Sequence, residues 1–322
     1  MPGGVFCFQD LMTDALHVPV LLAPILARAE GATRVVDGTL GHGGHAAAFL
    51  AAGAEVLGID RDPDAIATAH ARLGDTRMHY VTAPYASPEA VDAVRRFRPD
   101  FLLLDLGVSS RQLDSESRGF TFRPGAPLDM RMGPDAPTAA EWLAAVDEAE
   151  LKQVLRDYGD EPKAGRMAAE IVRRRETSAL VSSDDLVNAI RASLGPRSGP
   201  GDFARIFQAV RIAVNEELTG LEEVLPLFRE AVGPGGTLAV ISYHSGEDRL
   251  VKGAFRLWSA GCTCPPGLPQ CICGQVPLGR SEPRKAVIAD DAEIRANSRA
   301  RSARLRFFRN SDASDQAPAR AG

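Results

Sequence analysis

Short apolar runs that close on an acidic or small polar residue alternate, over the first third of the chain, with segments of helical periodicity. Residues 33–37 (TRVVD), 55–60 (EVLGID), 79–82 and 101–104 read as strands. Residues 45–52 and 64–73 read as helices between them, the second opened by Pro63 at a position that tolerates proline. This alternation predicts a parallel sheet covered by helices on both faces. It stops near residue 115. From there to residue 200 the pattern predicts only helices, at 139–145, 148–158, 165–175 and 183–194, the last with a strong Ser-Ser-Asp-Asp capping signal. A glycine- and proline-rich linker, 195–201, leads to helices at 203–218 and 221–231. Gly233-Pro234-Gly235-Gly236 then turns the chain into a strand at 237–242, and further strands are expected at 286–289 and 303–308. The simplest organisation is an α/β domain with a helical domain inserted between its fourth and fifth strands. Its boundaries fall at 1–114, 115–202 and 203–322, and no internal repeat is visible.

Composition narrows the class. Of the 322 residues 45% are hydrophobic and 25% charged, which excludes disorder over most of the length and any collagen-like repeat. The 37 Lys and Arg against 42 Asp and Glu give a net charge of −5, so a nucleic-acid partner has to be held by a local basic patch. The apolar stretch 18–27 is short, holds Pro19 and Pro24 and follows no basic segment, so neither a signal peptide nor a membrane span is expected. Five cysteines do not suggest a disulfide framework, and the expected location is the cytoplasm.

The chemistry concentrates at strand ends. Asp37-Gly38-Thr39-Leu40-Gly41-His42-Gly43-Gly44-His45 lies between a predicted strand and a predicted helix, where glycines permit a tight turn and close approach of the backbone to a ligand. Asp60 ends the next strand, near the offset at which a carboxylate accepts hydrogen bonds from ribose hydroxyls. The glycine spacing is not that of dinucleotide enzymes. Asp37 instead stands where the ammonium of S-adenosylmethionine would be met, which leaves a dehydrogenase as the alternative on fold grounds. Asp105 to Leu113 leaves the fourth strand beside the expected switch point, and Ser242 to Arg249 crowds polar side chains after the fifth.

These motifs, in this order, resemble the small-subunit ribosomal RNA cytosine-N4 methyltransferase family, RsmH, also called MraW. The resemblance runs from about His17 to Phe308 through HVPVLL, DGTLGHGGH, GIDRDPDAI, LLDLGVSSRQLD, RGFTF, PLDMRM, EWL, FQAVRIAVNEEL and SYHSGEDR. It implies a Rossmann-like S-adenosylmethionine-dependent methyltransferase domain with a helical insertion that helps to bind RNA. It also implies methylation of a cytidine in the decoding region of 16S rRNA within the small ribosomal subunit. Asp105, which could accept an amine hydrogen as the nitrogen develops positive charge, is the candidate catalytic residue. The family's cofactor contacts fall on Gly43, Gly44, His45, Asp60, Tyr85, Asp105 and Gln112. Tyr85 stands where phenylalanine is frequent, Arg111 replaces a usual proline and Gly246 a usual leucine.

Cytosine's exocyclic amine is a weak nucleophile and a sulfonium methyl is already activated, so alignment and exclusion of water are the main demands, and no metal is required. The acid-free run holding Arg295, Arg299, Arg301, Arg304, Arg306 and Arg309 suggests an edge that contacts phosphate, with charge protection of an exposed edge strand as the alternative. Arg173-Arg174-Arg175 is a second candidate. Cys262, Cys264, Cys271 and Cys273 would bind zinc if their thiols converge, but the one-residue gaps are tight, and a reduced loop is the alternative. A non-catalytic RNA-binding module remains the alternative to an enzyme.

Overall fold

A computed structural model describes residues 19–107, 116–134, 136–261, 264, 268 and 272–312. They group into two compact units, one holding the described residues up to Gly107 and from Gly220 onward, the other the stretch between.

The first unit is built on a seven-stranded sheet of order β3-β2-β1-β4-β5-β7-β6. Its strands are β1 (Arg34–Asp37), β2 (Glu55–Asp60), β3 (Met78–Thr82), β4 (Phe101–Asp105), β5 (Thr237–Ser242), β6 (Gly279–Ser281) and β7 (Arg304–Asn310). The first five are parallel, and β7 runs antiparallel to both β5 and β6. Alternation within each strand sends side chains into two separate cores. Val36, Leu57, Ile59, Leu102, Leu104 and Val240 face one cluster, and Val35, Val56, Phe101, Leu103, Ala239 and Ile241 the other. Helices cover both faces, which is why the strands read as continuous apolar runs.

The helices start where local chemistry permits. α1 (Leu22–Arg28) and α2 (Gly44–Ala51) flank β1, and α3 (Pro63–Leu73) begins at Asp62, whose side chain accepts from the Asp64 amide. The sequence reading missed α4 (Pro88–Phe97), although Ser87 caps it, Pro88 opens it and Ala90, Val91, Val94 and Phe97 form its buried stripe.

The second unit is helical: α5 (Ala139–Ala145), α6 (Glu148–Asp157), α7 (Ala164–Arg175), α8 (Ser183–Leu194) and α9 (Pro200–Val214). The boundary expected at 202 is corrected by packing. Phe203, Ile206, Phe207, Val210 and Val214 of α9 belong to the helical core, and the unit extends to Thr219. The predicted helix 203–218 breaks at Asn215, because Glu216 takes a φ of 52° before α10 (Glu217–Val232) begins. Two more helices were not foreseen, α11 (Ser245–Trp258) and α12 (Asp291–Ala296). Residues 286–289 form no strand; Val287 makes a single bridge to Leu305 before Asp290 caps α12.

The arginine-rich stretch is corrected too. β7 is bonded on both sides, so it is not an exposed edge. Arg306 is buried in a two-pronged pair with Asp248, Nε to Oδ1 at 2.8 Å and Nη2 to Oδ2 at 3.1 Å, and is unavailable to phosphate. In α7, Arg173 and Arg174 both donate to Glu170, whose carboxyl they hold down to about 2, and Arg175 donates to the Leu143 carbonyl. Removing one partner of a buried pair strands the other charge. Arg306→Ala is therefore expected to destabilise the protein by about 3–5 kcal/mol, and the exposed Arg304→Ala by under about 0.5 kcal/mol. Thermal unfolding of the two variants side by side checks the order.

Candidate active site

The strand order reverses between β1 and β4, and ligands of open parallel sheets bind at such a switch point, outside the carboxyl ends. Asp37 is the last residue of β1 and Asp105 the last of β4. The loop after β1 is pinned to both neighbouring strands, with Gly38 N–H donating to the Leu103 carbonyl at 2.9 Å and Leu40 N–H to that of Ile59 at 2.8 Å. Gly43 then caps α2 in the left-handed region at φ 75°, and a Cβ there would lie 2.6 Å from Leu73 Cδ1. Only glycine meets both conditions. The first turn of α2 thus opens beside the two carboxylates.

Asp60 ends β2 and is locked by the same loop: Oδ2 accepts from Gly41 N–H at 2.8 Å and Oδ1 from Asp62 N–H at 2.9 Å. Each carboxylate oxygen has a second lone pair for a further donor. Burial raises the Asp60 carboxyl, and these two backbone bonds oppose the rise. Tyr85 follows β3 and is half-buried against the apolar cluster of α4.

Asp37 is 1% exposed and burial lifts its pKa to about 6, with His45 lowering it and Asp105 raising it. Asp105 rises to about 7, first through burial; the hydrogen bond from Tyr243 lowers it and the charge of Glu247 raises it. The Tyr243 hydroxyl donates to Asp105 Oδ1 at 2.7 Å, and its ring lies over Gly107. The Asp105 amide donates to Thr39 Oγ1 at 2.6 Å. No Lys or Arg among the described residues is ion-paired with Asp37 or Asp105.

The His45 side chain is turned into the protein. Its ring is buried, its Nε2 lies 3.0 Å from the Val20 carbonyl and so carries the donated proton, and its Nδ1 lies 3.8 Å from Asp105 Oδ2. Burial holds its pKa below the usual value, against the opposing charge of Asp37 and the bond to Val20.

Sequence reasoning named the polar crowd after β5 without separating its parts. Tyr243 reaches Asp105, whereas Glu247 turns back to accept from the Tyr243 amide at 2.7 Å, and His244 caps α11. The signal available was position alone, a tyrosine immediately after a buried strand next to the switch point. The structure thus brings Gly43, Gly44, His45, Asp60 and Asp105 to one end of the sheet, with Tyr85 after β3 at that same end. Gln112, Cys262 and Cys271 lie outside the described residues. Among the described residues no group of three or more His, Cys, Asp or Glu is placed to hold a metal ion, and no helix is long and apolar enough to cross a membrane.

Comparison with known proteins agrees with this geometry. The model of the MraW methylase family matches residues 14–311. A protein of Gemmatimonas aurantiaca named ribosomal RNA small subunit methyltransferase H is 58% identical, covering 92% of this chain and 96% of its own length. Proteins of the same name from Heliobacterium modesticaldum and Myxococcus xanthus are each 46% identical, covering 90% and 91% of this chain and 97% of their own lengths. A Rossmann-like sheet with carboxylates gathered at its switch point, matched over almost its whole length, makes this chain a methyltransferase of the MraW methylase family.

Proposed function

We propose that this chain uses S-adenosylmethionine to methylate N4 of a cytidine in the decoding region of 16S rRNA, the position numbered 1402 in the family. The reaction would take place in the cytoplasm, on the small ribosomal subunit. The observation that carries the reading is the pair Asp37 and Asp105: two carboxylates at the switch point, raised by burial, with no Lys or Arg among the described residues paired to either. Such a site fits a ligand that brings positive charge, as the sulfonium and ammonium of S-adenosylmethionine do. The relatives' shared name supports the RNA substrate.

Asp60, held by Gly41 and Asp62, would receive the ribose hydroxyls, and the Tyr85 ring would lie against adenine. When bound, the cofactor supplies a methyl group already activated for displacement. Asp105 stands at the end of β4 to accept the proton that the cytosine amine sheds as its lone pair bonds to the methyl carbon and the carbon–sulfur bond breaks. A carboxyl near pH 7 suits that task, and Tyr243 fixes its orientation. A base held in structured RNA must leave its stack to arrive there. We further propose that the helical unit contributes to RNA recognition.

Three outcomes are expected. Asp60→Ala loses charge-assisted hydrogen bonds worth about 1.5–3 kcal/mol each, so calorimetry should show S-adenosylmethionine binding weakened by at least about tenfold. Unchanged affinity removes Asp60 from the site.

The second concerns pH. In the free protein Asp37 and Asp105 hold protons up to about pH 6 and 7, and a cationic ligand favours their ionised forms. Binding therefore expels protons at low pH, so S-adenosylmethionine affinity should rise from pH 5 to about pH 7.5 and then level off. S-adenosylhomocysteine, without the sulfonium charge, should show a shallower rise. Parallel titrations check this; equal slopes would contradict the assignment.

The third concerns chemistry. Asp105→Asn keeps an oxygen to accept from Tyr243 but removes the proton acceptor. Its single-turnover rate at saturating cofactor should fall by about 10²-fold or more. A full rate under those conditions would make Asp105 a binding residue only.

A further inference from the structure

The arginines near the end of the chain are sorted by the fold into groups that do different things. Arg306 is neutralised by Asp248. Arg309 lies opposite Thr237, at the amino end of β5, and Asp312 stands 3.8 Å away. Arg304 lies opposite Ser242, at the carboxyl end of the same strand, and the next residue of that strand's chain is Tyr243, the donor to Asp105. Arg299 is near enough for its charge to act on the Tyr243 hydroxyl.

The segment before β7 explains how these side chains come to face outward. Ser298–Ser302 is a 3-10 helix, in which residues three apart share a face. Ala300 and Ala303 are each 1% exposed and sit in the core beneath the sheet. Arg301 and Arg304, also three apart, are exposed. Small residues thus anchor the segment, and the arginines stand away from it. No acid occurs between Glu293 and Asp312. Of the carboxylates just before the segment, Asp290 accepts from the Glu293 amide and Glu293 from that of Leu21.

We propose that Arg299, Arg301 and Arg304 form a ridge that binds RNA phosphates at the carboxyl end of the sheet, holding the backbone next to the cytidine that reacts. This rests on the reading of an RNA substrate given above. In a protein of net charge −5 the overall field repels a polyanion, so a local cluster has to supply the attraction where the chain of phosphates passes. Arg304 stands at the same end of the sheet as Asp105, one strand removed, while Arg309, of equal charge, is at the far end of the strand.

The test uses the full chain and two probes, small subunits carrying unmethylated 16S rRNA and a decoding-region fragment of that RNA, with binding measured across a salt series. Arg301→Gln with Arg304→Gln should weaken binding by tenfold or more and lower the slope of log affinity against log salt by about 1.4–1.8, for two lost phosphate contacts. Adding Arg299→Gln should extend both effects. Arg309→Gln should leave affinity and slope within error of the unaltered protein, and S-adenosylmethionine binding and thermal unfolding of the double variant should be unchanged. An unaltered slope in the double variant overturns the ridge, as does an equal loss in Arg309→Gln, which would mean that net charge alone matters. Because the readout is binding, failure of the ridge is distinct from failure of the function: an unaltered protein that methylates no subunit RNA overturns the latter. Loss of affinity for an acidic protein probe with RNA binding retained would assign the ridge to a protein partner and also overturn the proposal.

Discussion

Parallel pairing of β1 with β4 places Asp37 and Asp105 at the same end of the sheet, and much of the site follows from the burial this imposes. Strands packed on both faces have to be apolar along their length, so their polar residues are displaced to the ends. There Asp37 is buried and Asp105 largely so, and neither is paired with a Lys or Arg among the described residues. Each charge left in that position costs free energy, which appears as the raised affinity of both groups for protons. The glycine loop and Tyr243 relieve this only in part. They also fix where the acids point: the Tyr243 hydroxyl donates to Asp105 Oδ1, and the Thr39 amide to Asp37 Oδ1 at 3.4 Å. A ligand carrying positive charge removes the penalty, so recognition is built into the burial of the two acids.

Much of this was legible in the sequence because it is local. The apolar runs that became β1, β2, β4 and β5, the glycine turn after Asp37 and the acid at Asp60 each carry their signal within a few residues. What was not legible depends on partners distant in the chain. The inward turn of His45 follows from the Val20 carbonyl, 25 residues earlier, and the pairing of Tyr243 with Asp105 joins residues 138 apart. The arginine run looked uniform because charge patterning does not reveal that Asp248 waits beside one of its members. α4 was readable and overlooked: Ser87 and Pro88 open it, and its apolar spacing is regular. The boundary after residue 202 misled because a linker of glycine and proline leads into α9, a helix whose apolar stripe belongs to the preceding helices.

The two units divide the labour of stability in different ways. The sheet unit draws on two cores separated by the strands themselves, and its site sits where both cores end. The helical unit has one core, and its helix starts are heavily capped: Thr138 with Glu141, Asp147, and Ser182 with Asp185 all satisfy free amides. Helices of this length are marginal alone, so capping and a shared apolar face hold them together.

The placement of β7 between β5 and β6 has a consequence for how the protein is made. As the chain leaves the ribosome, β1 to β4 are complete long before β5, which waits for the whole helical unit to be synthesised. Having its own core, that unit can condense meanwhile, bringing the ends of the gap closer and lowering the entropy cost of closing it. Even then β5 has one bare side until residues 304–310 emerge. Until that moment Leu238, Val240 and their neighbours flank an open strand edge, the kind of surface that pairs with other chains. Loss of residues 304–310 would therefore do more than shorten the chain. It would leave the nascent sheet permanently unfinished in its middle and prone to aggregate.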